Sequence, residues 1–421
     1  MTKMNKTSEK KFLYLILILL NLNNECINVN SFESNEIAVG LSNGKINIWN
    51  ITNGLFRYSF DSLRPNKSIN ILVLLKNGYL ASVVDDVSIN IWDTNTRQLK
   101  YTFDESNGGH LDLITILYPL ENGDLASGGH DSKIKIWDMK TGQLKFTLDE
   151  SQDDSSLNWI LSLVELDNGD LVSLSSDTII KIWDLTNGQL KSSFDRSPTS
   201  HQLNTAVRLL VLLNNGHLAS GSYGSTIKIW DVKNINTRFS FNRTNGGHSS
   251  PVWSLVSFKD GYLASGSWDT TIKIWDITNG KLKYTFNKSN GGHTSYVLSL
   301  ASLENGYLAS GSWSGTVKIY DITNGKLKYS TDQSIGGHSD YVYSLASLDN
   351  GYLASGSYDN TIKIWDVTNS KLIYTFDQSN GGHSHSVRSI ASLKNGYLAS
   401  GSSDSSVKIW DVTNGKASSV Y

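Results

Sequence analysis

Serine, histidine and aspartate return together several times along this chain of 421 residues. That trio is the equipment of nucleophilic hydrolysis, with histidine as base and the acid orienting it. Position argues against that use. The serines lie inside the recurrent strand segment LASGS (Leu263–Ser267 in one copy), not on a strained strand-to-helix turn that would present a nucleophile. Histidines after glycine recur at most once per repeat, so a ring holds them apart and cannot converge them on a metal. His130, His201, His217 and His385 share no spacing and read as surface or loop residues. The acidic run Asp149, Glu150, Asp153 and Asp154 lacks the glycine and terminal glutamate of a calcium loop. NGGH segments offer no phosphate cradle, because no helix follows to supply the dipole. These residues predict no catalysis, no metal and no cofactor.

What positions them is a repeat. A Trp-Asp ending or a near variant stands at Trp49, Trp92, Trp137, Trp183, Trp230, Trp275, Tyr320, Trp365 and Trp410, with spacings of 43, 45, 46, 47, 45, 45, 45 and 45 residues. Nine repeats of near-constant length define a repeat architecture. Within one repeat, VWSLVSF from Val252, YLASGS from Tyr262, TIKIW from Thr271 and LKYTF from Leu282 read as four strands. Asn-Gly pairs such as Asn279-Gly280 and Asn305-Gly306 supply the turns between them. A lone four-stranded meander cannot bury both faces; stacking copies radially into a ring does.

Period, Gly-His dipeptides and Trp-Asp endings together resemble the WD-repeat β-propeller family over residues 26–421, implying an all-β propeller of four-stranded antiparallel blades. The resemblance also implies a hydrogen-bonded His–Ser–Asp–Trp network. It is complete in four repeats: His110, Ser127, Asp131 and Trp137; His248, Ser265, Asp269 and Trp275; His338, Ser355, Asp359 and Trp365; His383, Ser400, Asp404 and Trp410. The seventh repeat keeps His293 and Ser310 but has Ser314 and Tyr320 for the acid and indole. In the fifth, Gly224 and Leu203 replace the acid and the histidine. The second and fourth lack the histidine (Ser82, Asp86, Trp92; Ser173, Asp177, Trp183), and the first keeps only Trp49. The first, fifth and seventh blades are therefore expected to be the softer ones. Rings of seven or eight are commoner in the resembled family, so a displaced end repeat is an open alternative to nine blades in one ring.

Composition fits such a ring: 39% hydrophobic, 10% aromatic and a formal net charge of −2. Near-balanced charge argues against nucleic acid as a partner, since phosphate binding needs a positive excess. No apolar run is long enough to span a membrane, and the lone Cys26 fits a reducing compartment, hence a cytoplasmic protein. Residues 1–25 are separate in character. Lys3, Lys6, Lys10 and Lys11 precede the apolar stretch Phe12–Leu20. That is the outline of a secretory signal without a small-x-small cleavage site, while one repeat's spacing places Lys11–Leu15 where an outer latching strand would lie. The signal reading would make this a secreted or membrane-anchored recognition protein.

Function must then reside on a surface, and strand parity selects it. In a meander of strands a to d, the d–a loops and b–c turns share one end. There the strand entries offer Trp159, Trp253, Tyr296, Tyr341 and Tyr343, and the b–c turns offer Tyr223, Trp268, Trp313 and Tyr358. Aromatics clustered on one rim are what interaction surfaces use. The alternative is that some of them pack on the neighbouring blade. In the first three repeats the same places hold Ser42, Asp85, His130, Ser68, Asn70, Leu113 and Thr115. Tyr79, Tyr262, Tyr307, Tyr352 and Tyr397 open strand b at the opposite end and read as structural. The expectation is a non-enzymatic scaffold that binds peptide or protein partners on this face, a monomer within a larger complex.

Overall fold

Alternating apolar residues and tight turns set the local structure. In the sixth repeat Val252–Ser257, Tyr262–Ser267, Ile272–Asp276 and Lys281–Phe286 are strands, rich in the β-branched and aromatic types that fit a pleated surface. Gly280 turns the last hairpin at φ 71°, a left-handed conformation that costs glycine nothing. A Cβ there would meet the Phe239 ring of the preceding blade at 2.3 Å, so blade packing excludes a side chain as well.

The computed structural model describes residues 29–31, 36–40, 43–50, 55–61, 67–149, 158–177, 179–194, 207–234, 236–393, 396–404 and 406–420. The segment expected as a latch or signal, Cys26, and most of the acidic run lie outside these residues. The described residues form 36 strands in nine four-stranded sheets, each sheet ordered as the chain runs and antiparallel throughout. Each sheet takes all four strands from its own repeat. The outer strand of the ninth is Lys416–Val420, and the inner strand of the first is Val29–Ser31.

The core lies between sheets. Ala219, Ile227, Ile229 and Phe241 of the fifth blade pack with Val252, Leu255, Leu263 and Trp275 of the sixth. The indole of one blade stacks on the outer-strand phenylalanine of the blade before it, as in Phe103–Trp137 at 4.1 Å, Phe241–Trp275 at 4.2 Å and Phe376–Trp410 at 4.4 Å between ring centroids. Such stacked pairs add about 0.5–1.5 kcal/mol beyond their area burial. Val39 and Trp49 of the first blade join Ala391, Leu393, Ala399, Val407 and Ile409 of the ninth, which closes the ring. No repeat is displaced. All nine sheets enter one ring, and the molecule is a nine-bladed, all-β propeller.

Candidate functional site

Two constellations recur: the buried histidine network and the aromatic rim. In the sixth blade Trp275 Nε1 donates to Ser265 Oγ at 2.9 Å, and Ser265 Oγ lies 2.7 Å from His248 Nε2. His248 Nδ1 lies 2.9 Å from Asp269. One donor pattern satisfies every atom: indole to hydroxyl, hydroxyl to Nε2, and Nδ1–H to carboxylate. This assigns a neutral imidazole. Asp269 also accepts from the backbone N–H groups of Ser249 and Thr271 and from the Thr271 hydroxyl. The other three predicted sets repeat this geometry, with Nδ1–carboxylate distances of 2.9–3.0 Å. Burial favours the neutral form of Asp269 and Asp359, but hydrogen bonds from His248 and His338, from the Thr271 and Thr361 hydroxyls and from backbone N–H groups outweigh it. Both carboxyls are held far below the usual range. Asp404 is held at about 2 against the same burial, by the Ser406 hydroxyl, the Ser384 N–H and His383. Burial pushes His248, His338 and His383 down despite their acid partners.

Here the serine hydroxyl is committed between indole and imidazole at zero or near-zero exposure, out of reach of a substrate. The network ties the d–a loop to its own sheet. Among the described residues no group of three or more His, Cys, Asp or Glu converges as for a metal ion.

The departing repeats solve the same problem differently. In the second blade Asn70 pairs with Asp86 where the histidine is missing, while Trp92 Nε1 still donates to Ser82 Oγ at 2.9 Å. In the seventh, His293 Nδ1 takes Thr316 Oγ1 at 2.9 Å, and Tyr320 keeps the ring contact with Phe286 at 4.2 Å while donating to Gly291 O. With no acid partner, burial and the nearby Lys318 hold His293 at about 3. The hydroxyl two residues after the acid (Thr271, Thr361, Ser406) is a fifth network member. The recurring texts WDTT, YDNT and SDSS were its available signal.

The strand entries and b–c turns that carry these aromatics lie at one end of the blades. A backbone bond ties each b–c turn to a strand entry: Trp268 N–H to Pro251 O, Trp313 N–H to Tyr296 O, Tyr358 N–H to Tyr341 O and Ser176 N–H to Trp159 O. At the other end c–d turns meet a–b turns, as in Ile277 N–H to Gly261 O. There Tyr262 and Tyr307 lie under Lys283 and Lys328.

On the rim the rings form one unbroken series. Tyr223 meets Trp253 edge-on at 6.4 Å, and Trp253 stacks on Trp268 at 4.8 Å. Trp268 stacks on Tyr296 at 5.4 Å, Tyr296 meets Trp313 at 5.8 Å, and Trp313 stacks on Tyr341 at 3.8 Å. Tyr341 then contacts Tyr343 and Tyr358. The b–c turn ring of one blade thus lies against a strand-entry ring of the next. Trp253 and Tyr343 are each the extra residue of a β-bulge, between the paired Val252 and Ser254 and between Val342 and Ser344. Tyr223, Tyr296, Trp313 and Tyr358 are 37–42% exposed, whereas Trp253, Trp268, Tyr341 and Tyr343 are half-buried in the stack. For those four, packing on neighbours and a presented surface coexist. Trp159 stands apart from this series, stacked on His130 at 4.4 Å.

Sequence reading missed Arg388. It occupies the bulge position of the ninth blade, between Val387 and Ser389, equivalent to Trp253 and Tyr343. Its guanidinium carbon lies 5.1 Å from the centroid of Tyr343 and 5.4 Å from that of Tyr358. The parallel texts PVWS, YVYS and SVRS carry that equivalence.

A closed ring of four-stranded sheets, each latched by a buried histidine and carrying its rim on d–a loops and b–c turns, is a β-propeller of the repeat type. The family model described as "WD domain, G-beta repeat" matches residues 98–138, 196–231, 239–276, 280–321, 330–366 and 370–411, more than half of the chain. The chain belongs to the WD40 repeat family. No curated protein matches it. Among solved structures it is similar to the computationally designed Ika8 protein, at 26% identity and a TM-score of 0.57, covering 94% of this chain and 99% of that one. WD40 propellers are generally non-enzymatic protein-interaction scaffolds.

Proposed function

We propose that this chain is a non-enzymatic interaction scaffold whose partners bind the face of the d–a loops and b–c turns, on the arc of the fifth to eighth blades. The observation that carries this reading is the continuous series Tyr223–Trp253–Trp268–Tyr296–Trp313–Tyr341–Tyr358. Trp and Tyr bury much area with few rotors to freeze. A stacked row is already ordered, so a partner meets a surface whose side-chain entropy is lost before binding. In the first three blades the equivalent places are polar or aliphatic, with Asp85 paired to Lys67 at 2.9 Å and Leu113 exposed. The partner is a protein or peptide, and the propeller acts as a monomer inside a larger assembly in the cytoplasm.

The test is capture of partners from native cells by the full chain. Trp313→Ala removes an exposed ring and should weaken capture by about 2 kcal/mol, the scale of an interface anchor. Tyr307→Ala, at the opposite end, should capture normally. The reverse pattern would assign the functional face to the wrong end. Mass spectrometry of the mature N-terminus bears on compartment: retention of residues 1–25 supports the cytoplasmic reading, and a chain beginning near Glu25 or Cys26 supports the secretory one.

A further inference from the structure

At its ninth-blade end the arc meets a cation, Arg388. Arg388 is exposed, its Nε donates to Ser403 Oγ at 3.0 Å, and its plane is steadied by Tyr343 and Tyr358. No ion pair reaches this guanidinium among the described residues, so its terminal nitrogens keep donors for a ligand. Carboxylates of this face are engaged elsewhere. Asp359 and Asp404 are saturated by their networks, and Asp340 accepts from the Tyr341 N–H at 2.8 Å. From Tyr358 to Trp253 the members of the series are all rings. From Arg388 the path runs through Tyr358, Tyr341, Trp313, Tyr296 and Trp268 to Trp253 in six steps of 3.8–5.8 Å.

Resting on the proposed interaction face, we infer that its ligand is an extended, proline-rich peptide segment with one carboxylate side chain seated on Arg388. Three features select this class. The row is a succession of single side-chain rings rather than the two-walled groove an amphipathic helix needs. Polyproline II segments dock on aromatic rows, lose little entropy on binding and rise about 3.1 Å per residue, so at most about ten residues follow the arc. A single guanidinium matches one carboxylate, whereas phosphorylated peptides are taken by clusters of arginines.

The test selects a random ten-residue phage library on the full chain, then uses synthetic, fluorescently labelled copies of the enriched peptide. Enrichment should place Asp or Glu at one end of a proline and aromatic pattern. Arg388→Gln should weaken that peptide about tenfold or more, amidating its acidic side chain should do the same, and the two losses should not add. Arg388→Glu should move the preference at that position to Lys or Arg. Unchanged melting of the Arg388 variants separates lost affinity from lost folding. Peptides that bind Arg388→Gln as well as the native chain, yet are lost on Trp313→Ala, would overturn the carboxylate anchor while leaving the interaction face standing. Peptides indifferent to both substitutions would overturn both readings. A phosphoserine version binding ten times tighter than the carboxylate, a library that enriches nothing, or self-association of the chain abolished by Trp313→Ala would each overturn the inference.

Discussion

Replacing Ser314 with aspartate should make the protein more stable, although it buries a new charge. Ser314 stands where Asp269 and Asp359 stand in the flanking blades. There the carboxylate accepts from imidazole Nδ1 at 2.9 Å, from the backbone N–H after the histidine at 2.9 Å, from the backbone N–H two residues on at 3.0 Å, and from the hydroxyl of that residue at 2.6–2.7 Å. In the seventh blade His293, Thr294 and Thr316 carry the same donors. The shorter Ser314 side chain bonds only the hydroxyls of Ser312 and Thr316. Hydrogen bonds to a charged group contribute about 1.5–3 kcal/mol each before desolvation is deducted. With three or four of them formed in a site the fold already shapes for a carboxylate, the net gain should be about 1–2 kcal/mol. Calorimetry at pH 7 should then show a melting temperature higher by a few degrees. Proton NMR should find the His293 imidazole titrating above its native value of about 3. The converse Asp269→Ser should lower the melting temperature. If Ser314→Asp leaves the protein folded but no more stable, while Asp269→Ser is costly, the acid's worth depends on more than these donors and the blade-by-blade reasoning fails.

Asp269→Ala should cost on the order of 2–4 kcal/mol, because it strands His248 and two backbone N–H groups; denaturant midpoints should give similar losses for Asp359→Ala and Asp404→Ala. Stability should fall on acidification in two windows, read from melting temperatures between pH 8 and pH 2. Histidines whose folded pKa lies below the unfolded value of about 6.5 bind protons only when unfolded, so stability is full above that pH and declines as pH drops toward their folded values. The depressed carboxyls add a second loss below about pH 4, continuing to about 2 for Asp404. Thr270 turns its b–c hairpin at φ 70°, a strained place for a β-branched residue, where the eighth blade has Asn360 at 69°. Thr270→Asn should therefore raise the unfolding free energy by about 1 kcal/mol in a urea titration. Amide exchange should be fastest in the first, fifth and seventh blades, whose networks are least complete.

Much of this molecule is written locally. Alternation in segments such as Ile272–Asp276, Asn-Gly turns and nine near-equal spacings determine strands, sheets and repeat number, because period-2 burial and positive-φ turns depend on a few adjacent residues. Strand parity then determines which end each loop occupies, so the face bearing Trp268, Trp313 and Tyr358 was readable from sequence, as were the four complete networks. Tertiary structure alone decided the rest. Closure at nine depends on the angle between blades, set by rings such as Phe241 on Trp275 across an interface, and it required Val39 to meet Ile409 across the whole chain. Whether Trp253 and Trp268 would be presented or packed depended on the ring contributed by the neighbouring blade, some 45 residues per repeat away. Arg388 joined the rim for the same reason. It stands at a bulge, and only the radial packing of the eighth blade against the ninth brings Tyr343 and Tyr358 beside its side chain.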